Sequence, residues 1–231
     1  MKSLFDLIRR IKGKPLTQAE VDAVNAVLRP DAPASHSLSD AAAFYGQVRA
    51  ITGPLDQAQV DSITEILRAV AHWPLSWVAY ALATAWHESR LLPIKERGGD
   101  AYLSKYDTGI LARILGNTPA KDGDGILYAG RGFVQLTGRT NYRKAGEALG
   151  IDLLAQPNLA LAIGHAAHIL AWGMEGGHFT GKALRHYLPA PVGSEAQFTA
   201  ARKIINGTDK AGLIAGYAVR FQSALEAGGW Q

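Results

Sequence analysis

WVAYALATAWHESRLLPIKE, residues Trp77 to Glu96, is the stretch from which the fold is read. From Leu75 to Trp86 the chain is apolar on every side of a helix: Leu75, Trp77, Val78, Tyr80, Leu82 and Trp86, with alanines between. A helix that is apolar all round is either buried all round or spans a membrane. This run is too short to span, and Pro74 and Pro93 bracket it. The pattern predicts the central helix of a packed core. His87 and Glu88 stand at its C-terminal end, and Glu96 follows eight positions after Glu88, beyond Pro93. An acid at the end of a buried helix is costly unless it is paired or used.

The pair Glu88 and Glu96 is therefore the first candidate for chemistry. Inverting hydrolysis of a glycosidic bond needs one carboxylic acid to protonate the leaving oxygen and one carboxylate to activate water. Burial keeps an acid protonated and solvent keeps a carboxylate ionised. Glu88, at the helix end, suits the first role, and Glu96, in a polar glycine-rich loop, suits the second. Taken by spacing alone, the same two residues also fit solvated surface charges.

Toward the N-terminus the chain repeats itself. Phe5 to Leu28 aligns with Phe44 to Leu67 at a constant offset of 39, with Phe5/Phe44, Arg10/Arg49, Pro15/Pro54, Asp22/Asp61 and Leu28/Leu67 among the identities. Each copy carries a capping box, Thr17 with Glu20 and Asp56 with Gln59, followed by apolar residues at helical spacing. Arg29 to Ser37, RPDAPASHS, is a Pro/Ala/Ser linker. The expected organisation is a helical N-terminal extension, residues 1–38, that duplicates 42–67, and a main domain over 39–231. Two copies are too few for a solenoid.

Toward the C-terminus, Glu96 to Gly130 is rich in Gly, Asp and Tyr, with a short helix expected over Gly109 to Leu115 and a turn at Lys121 to Gly125. So long an irregular segment inside a compact domain is usually functional. AGRGFVQLTGRTNY, Ala129 to Tyr142, sets glycines around a short apolar run, with strand character confined to Phe133 to Leu136. Further helices are expected over Leu159 to Met174, Glu195 to Ile205 and Ala211 to Leu225. The expected fold class is mainly α, with at most a short β-hairpin.

Composition narrows the function classes. The 231 residues hold no cysteine, so no disulfide, thiolate nucleophile or Cys-ligated metal is available. A net charge of +4 admits an anionic partner. No dense basic run or aromatic-basic signature points to nucleic acid. His87-Glu88 lacks the second histidine of a zinc-protease helix, since position 91 is Leu91. His165 and His168 read as core or surface histidines, and Asp122 and Asp124 as a turn rather than a calcium loop. Ser89 has no adjacent base that would make it a nucleophile. No metal and no cofactor are expected. The opening MKSLFDLIRRIKGK is basic and interrupted by charges, so no secretory signal is expected.

His87-Glu88-Ser89, PIKERGGDAYLSKY (Pro93 to Tyr106), GDG…YAGRGFVQLTGRTNY (Gly123 to Tyr142) and KIINGTD (Lys203 to Asp209) resemble the family 19 glycoside hydrolases, nearest the cysteine-free phage and prophage endolysins. The resemblance spans about residues 42–226. It implies a two-lobed, lysozyme-like fold with a cleft between lobes. By the same resemblance Glu88 matches the general acid, Glu96 the general base, and Thr137 the hydroxyl that holds the attacking water. His87, Tyr102, Gln135, Asn141 and Asn206 match positions contacting sugar, and Arg131 and Arg220 match charged partners that orient the carboxylates. Ser89 stands where Thr is commoner, and the Glu88-to-Glu96 spacing is shorter than in plant chitinases. Tyr102, Tyr106, Tyr128 and Tyr142 could stack on sugars or pack within the lobe.

The resemblance implies a muramidase-like endolysin that cuts peptidoglycan glycan strands. It would act as a monomer, without nucleic acid or stable membrane insertion. Made in a bacterial cytoplasm, it would reach the wall through a separate pore or in a phage particle. Three alternatives stay open: a chitinase, a lytic transglycosylase using Glu88 alone, and a wall-binding protein without activity.

Overall fold

The computed structural model describes Gly13 and residues 35–231. The first copy of the repeat, Phe5 to Leu28, lies outside the described residues apart from Gly13. The chain divides into two units at Ser35–His36. In the second unit, His36 stacks on Trp230 and Ser37 exchanges backbone hydrogen bonds with Gln231. The end of the expected linker is thus tied to the C-terminus of the main unit.

Two hydrophobic cores define two lobes. The larger is built from α1 (Ala41–Thr52), α2 (Gln57–Ala69), α3 (Leu75–Ser89), α8 (Ile163–Gly176), α9 (Glu195–Ala201) and α10 (Ala211–Ala227). Residues 78–86 of α3 are all buried, as its all-round apolar pattern requires. Pro74 is its N-cap, and the chain leaves the helix through Arg90 in the left-handed region. α10 packs along α3, α1 and α9, while α2 packs on α8. The capping box read at Asp56 and Gln59 is present, with both reciprocal hydrogen bonds formed.

Polar groups on α3 find partners in the loop before α9. Trp77 Nε1 donates to Leu188 O at 2.8 Å and Ser76 Oγ to Ala190 O at 2.8 Å. Tyr80 OH donates to Ala201 O at 3.0 Å, and its ring stacks on Phe198. Burial pushes the Tyr80 phenol up to about 12, so it remains a donor. This bond fixes the end of α9 against the middle of α3.

The smaller core gathers Tyr128, Leu136, Tyr142, Ala145, Leu153, Ala160 and Ile169. α8 serves both cores: Ala166, Leu170 and Met174 face the larger and Ile169 the smaller. That double duty accounts for its nearly unbroken apolar sequence. The helix expected from Leu159 is instead a 3₁₀ turn over Pro157–Leu161 followed by α8, with Ala162 extended between them.

The strand expected over Phe133 to Leu136 is a tight turn. The two strands are β1 (Ile94–Lys95) and β2 (Arg131–Gly132), antiparallel, pairing Ile94 with Gly132 and Lys95 with Arg131. Arg131 also bridges Leu136. Gln135, at φ 56°, reverses the chain, which an extended strand cannot do. Between the strands lie α4 (Gly99–Leu103), α5 (Gly109–Leu115) and α6 (Asp124–Leu127), and α7 (Arg139–Leu149) follows. The short helix expected over Gly109 to Leu115 is present. Among the described residues no helix is long and apolar enough to cross a membrane.

Candidate active site

Glu88 is delivered by the last turn of α3, and Glu96 directly follows β1. Each is held by a different device. Arg202 Nη1 donates to Glu88 Oε1 at 2.6 Å, a charge-assisted bond from a side chain only 2% exposed. The same guanidinium is anchored from behind, its Nε donating to Asp209 O at 2.9 Å. Among the described residues Glu88 Oε2 has no hydrogen-bond partner, which leaves it available to a ligand.

Glu96 is held by the smaller lobe. Tyr106 OH donates to its Oε1 at 2.9 Å and the Gly130 N–H to its Oε2 at 3.2 Å. Its own N–H donates to Gly130 O at 2.7 Å, so the strand pairing and the carboxylate share one support. Two donors and no acceptor suit an ionised carboxylate. The Tyr106 phenol is pushed up, first by burial and then by its bond to Glu96, so it keeps the proton that it donates.

Gly130 explains how the polar groups come together. A Cβ built there would stand 2.8 Å from Gln135 Oε1, 3.1 Å from Thr137 Oγ1 and 3.2 Å from Glu96 Oε2. Three oxygens surround a point that any side chain at residue 130 would fill. Thr137 Oγ1 donates to Gln135 O at 2.8 Å, which leaves its lone pairs open to a water proton. Gln135 Nε2 donates to Ile94 O and Gly132 O, turning its Oε1 toward the same point. Asn141 Nδ2 donates to Thr137 O at 2.7 Å and pins the turn from the start of α7.

The other residues singled out by sequence fall into three groups. His87 lines a surface cavity of about 500 Å³ together with Glu88, and its pKa is lowered chiefly by burial. Tyr102 is 47% exposed, with Lys105 Nζ 3.3 Å from its ring centroid, and its ring lies over Gly98, where a Cβ would come within 2.5 Å of Cδ1. Asn206 is exposed on the loop after Arg202.

Two arginines do not stand where the resemblance places them. Arg131 touches neither carboxylate. It is buried and donates to Leu127 O, Ala129 O, Tyr142 OH and Asn158 Oδ1, so it ties the loop before β2 to the smaller core. Arg220 lies on the face of α10 toward α1, where it donates to Ala50 O, and takes no part in the site. The arginine that orients a carboxylate is Arg202, which sequence reasoning passed over. Its signal was present: it stands four residues after Phe198, on the apolar face that continues to Ile205.

Tyr128 and Tyr142 pack inside the smaller core, 5% and 0% exposed, and are closed to a sugar. Burial raises the Tyr142 phenol to about 12. Tyr106 holds Glu96 through its hydroxyl, a role its sequence context did not suggest. Ser89 Oγ donates to Ala85 O within its own helix, consistent with a structural serine.

This two-lobed helical fold is that of the family 19 chitinases. Chitinase C from Streptomyces griseus HUT6037 superposes with a TM-score of 0.55 at 24% identity, covering 80% of this chain and 75% of that one. Another bacterial family 19 chitinase superposes with a TM-score of 0.51 at 20% identity, covering 78% and 93%. In sequence, the chain is 59% identical over 32 residues to Chitinase 8 of Oryza sativa subsp. japonica, which is 14% of this chain and 12% of that protein. It is 48% identical over 44 residues to a glycosyl hydrolase family 19 domain-containing protein of Haemophilus influenzae, 19% of this chain and 22% of that one. The chain thus matches less than a quarter of the length of these curated relatives. No protein-family profile matches it. The resemblance read from the motifs holds in fold and in short segments of sequence.

Proposed function

We propose that this chain is an inverting glycoside hydrolase of the family 19 type that cuts the glycan strands of bacterial peptidoglycan, an endolysin. The observation that carries the reading is the pair of separately supported carboxylates. Arg202 holds Glu88 by Oε1, while Tyr106 and the Gly130 N–H hold Glu96 beside Thr137 and Gln135. In this reading Glu88 protonates the leaving oxygen through Oε2, and Arg202 stabilises the carboxylate left behind. Glu96 takes a proton from water held by Thr137, and that water attacks the sugar carbon from the opposite face.

Support for peptidoglycan over chitin comes from the resemblance of the cysteine-free site motifs to phage endolysins and from the basic chain, with a net charge of +4. The protein acts as a monomer on glycan strands, reaching the wall through a separate pore or aboard a phage particle. Residues 1–38 are an N-terminal extension that aids attachment to the wall. The test is a parallel digestion of purified sacculi and of colloidal chitin. The reading predicts soluble muropeptides with new reducing ends. Chito-oligosaccharides alone would make the chain a chitinase, and no product from either would contradict the hydrolase reading.

A further inference from the structure

The cavity beside Glu88 is one-sided in charge. Glu88 is the one carboxylate in its lining, and Arg202 already occupies one of its oxygens. Arg90 and Arg97 line the same cavity, and both are exposed. Among the described residues neither forms an ion pair; the pairs present are Arg68–Glu65, His72–Glu175, Arg143–Glu147 and Arg202–Glu88. His87 adds little to this charge at neutral pH, since burial lowers its pKa below the usual histidine value, with Glu88 opposing that shift and Arg202 and Arg90 reinforcing it.

Arg90 is also fixed in place. Its guanidinium lies 4.5 Å from the Trp86 ring centroid, and its carbonyl accepts from Gln59 Nε2 at 3.0 Å. Arg90 and Leu91 are consecutive non-glycine residues in the left-handed region, at φ 55° and 61°. That conformation is unfavourable for both, and a glycine would end the helix more easily. The strained exit sets the point at which the Arg90 side chain departs, two residues from Glu88. Strain kept beside a reacting group is a mark of use.

We propose that Arg90 and Arg97 are specificity-determining residues that bind a carboxylate on the branch carried by the muramyl sugars. The inference rests on the hydrolase reading of Glu88. A guanidinium matches a carboxylate with two parallel hydrogen bonds, and two arginines that line one cavity and form no ion pair among the described residues gain most from an anion placed in it. A neutral polymer of N-acetylglucosamine has no group to meet them. A muramyl strand does: the lactyl carboxyl when the branch is bare, and a peptide carboxyl when it is extended. The arginines thereby favour acidic over neutral amino-sugar polymers at a site whose acid and base would serve either.

The experiment compares bare muramyl glycan strands as free acids with the same strands as methyl esters, using the full chain and its Arg90→Gln/Arg97→Gln variant. For the wild type, kcat/KM should favour the free acid by roughly tenfold or more, through KM, as expected for a charge-assisted pair. In the double variant that ratio should fall to about one. Strands that keep their stem peptides separate the two carboxyl sources, since a peptide carboxyl gives the preference only there. An equal ratio in both proteins, or no preference in the wild type on any strand, overturns the inference while leaving the hydrolase reading intact. Cleavage of chito-oligosaccharides with no cleavage of any muramyl strand overturns the peptidoglycan reading itself. If the double variant fails to fold, the single variants and the wild-type acid-to-ester ratio carry the same test.

Discussion

Glu88 ends a 15-residue helix packed on every side, whereas Glu96 follows a two-residue strand and is surrounded by loop. Hydrophobic burial fixes the first: α3, α9 and α10 share one core, and Tyr80 pins the end of α9 so that Arg202 meets the acid. Polar bonds fix the second. Asp107, buried at 2% exposure, accepts from Gly125 N, and Asn117 donates to Tyr106 O and accepts from Arg139 N at 2.8 Å. Asp124 accepts from Thr118 N at 3.0 Å, and Arg131 closes the loop before β2. A packed helix gives an acid a rigid address. A web of hydrogen bonds around glycines brings oxygens of Glu96, Gln135 and Thr137 around Gly130, where no side chain stands.

The largest effect should come from the acid. Glu88→Gln keeps the shape and removes the proton donor, so glycan hydrolysis should fall by roughly 10²–10⁴-fold or more with the fold unchanged. Wall-lysis rates and circular dichroism on the same sample check both halves. Retention of more than about a tenth of wild-type activity, against the loss expected from removing a general acid, would remove Glu88 from its role.

Arg202 tests whether the packed side holds its acid by charge as well as by shape. Arg202→Met keeps much of the volume but leaves Glu88 without its partner and Asp209 O without its donor. Breaking a buried pair by removing one member costs about 3 kcal/mol, which denaturant unfolding would measure. Arg220→Ala should change stability by less than about 0.5 kcal/mol, as is usual for a surface substitution. Equal effects for the two arginines would mean that the ion pair is not the support described.

The same contrast governs what the sequence made legible. α3 was readable because a helix apolar on every side has one explanation, and the start of α2 because a capping box is local. Glu88 and Glu96 were both singled out from the sequence. The support of each was missed, because both supports reach far along the chain: Arg202 lies 114 residues from Glu88, and the Gly130 N–H lies 34 residues from Glu96. Arg131 and Arg220 were placed by resemblance, which carries residue types but not directions. The turn at Phe133 to Leu136 was read as a strand because nothing in FVQL announces that Gln135 adopts φ 56°.

Tyr106→Phe is the mildest of these changes and sharpens the loop side of the comparison. It deletes one donor to Glu96 and leaves the Gly130 N–H in place. Turnover should fall by about tenfold with KM little changed, since a single positioning hydrogen bond to a charged group is worth about 1.5 kcal/mol. Stability should hardly move, because Tyr106 is only half-buried. Steady-state kinetics on glycan strands check this, and a loss of KM alone would make Tyr106 a sugar contact instead.

The central claim is that two carboxylates act together, Glu88 as acid and Glu96 as base on water. Digestion of peptidoglycan in ¹⁸O-labelled water, with the products analysed by mass spectrometry and by NMR as they form, tests it most directly. The account predicts reducing ends that carry the label, with the anomeric configuration inverted when first released. Unlabelled 1,6-anhydro ends would show that Glu88 works alone, as in a lytic transglycosylase, and that the supports around Glu96 serve some other purpose.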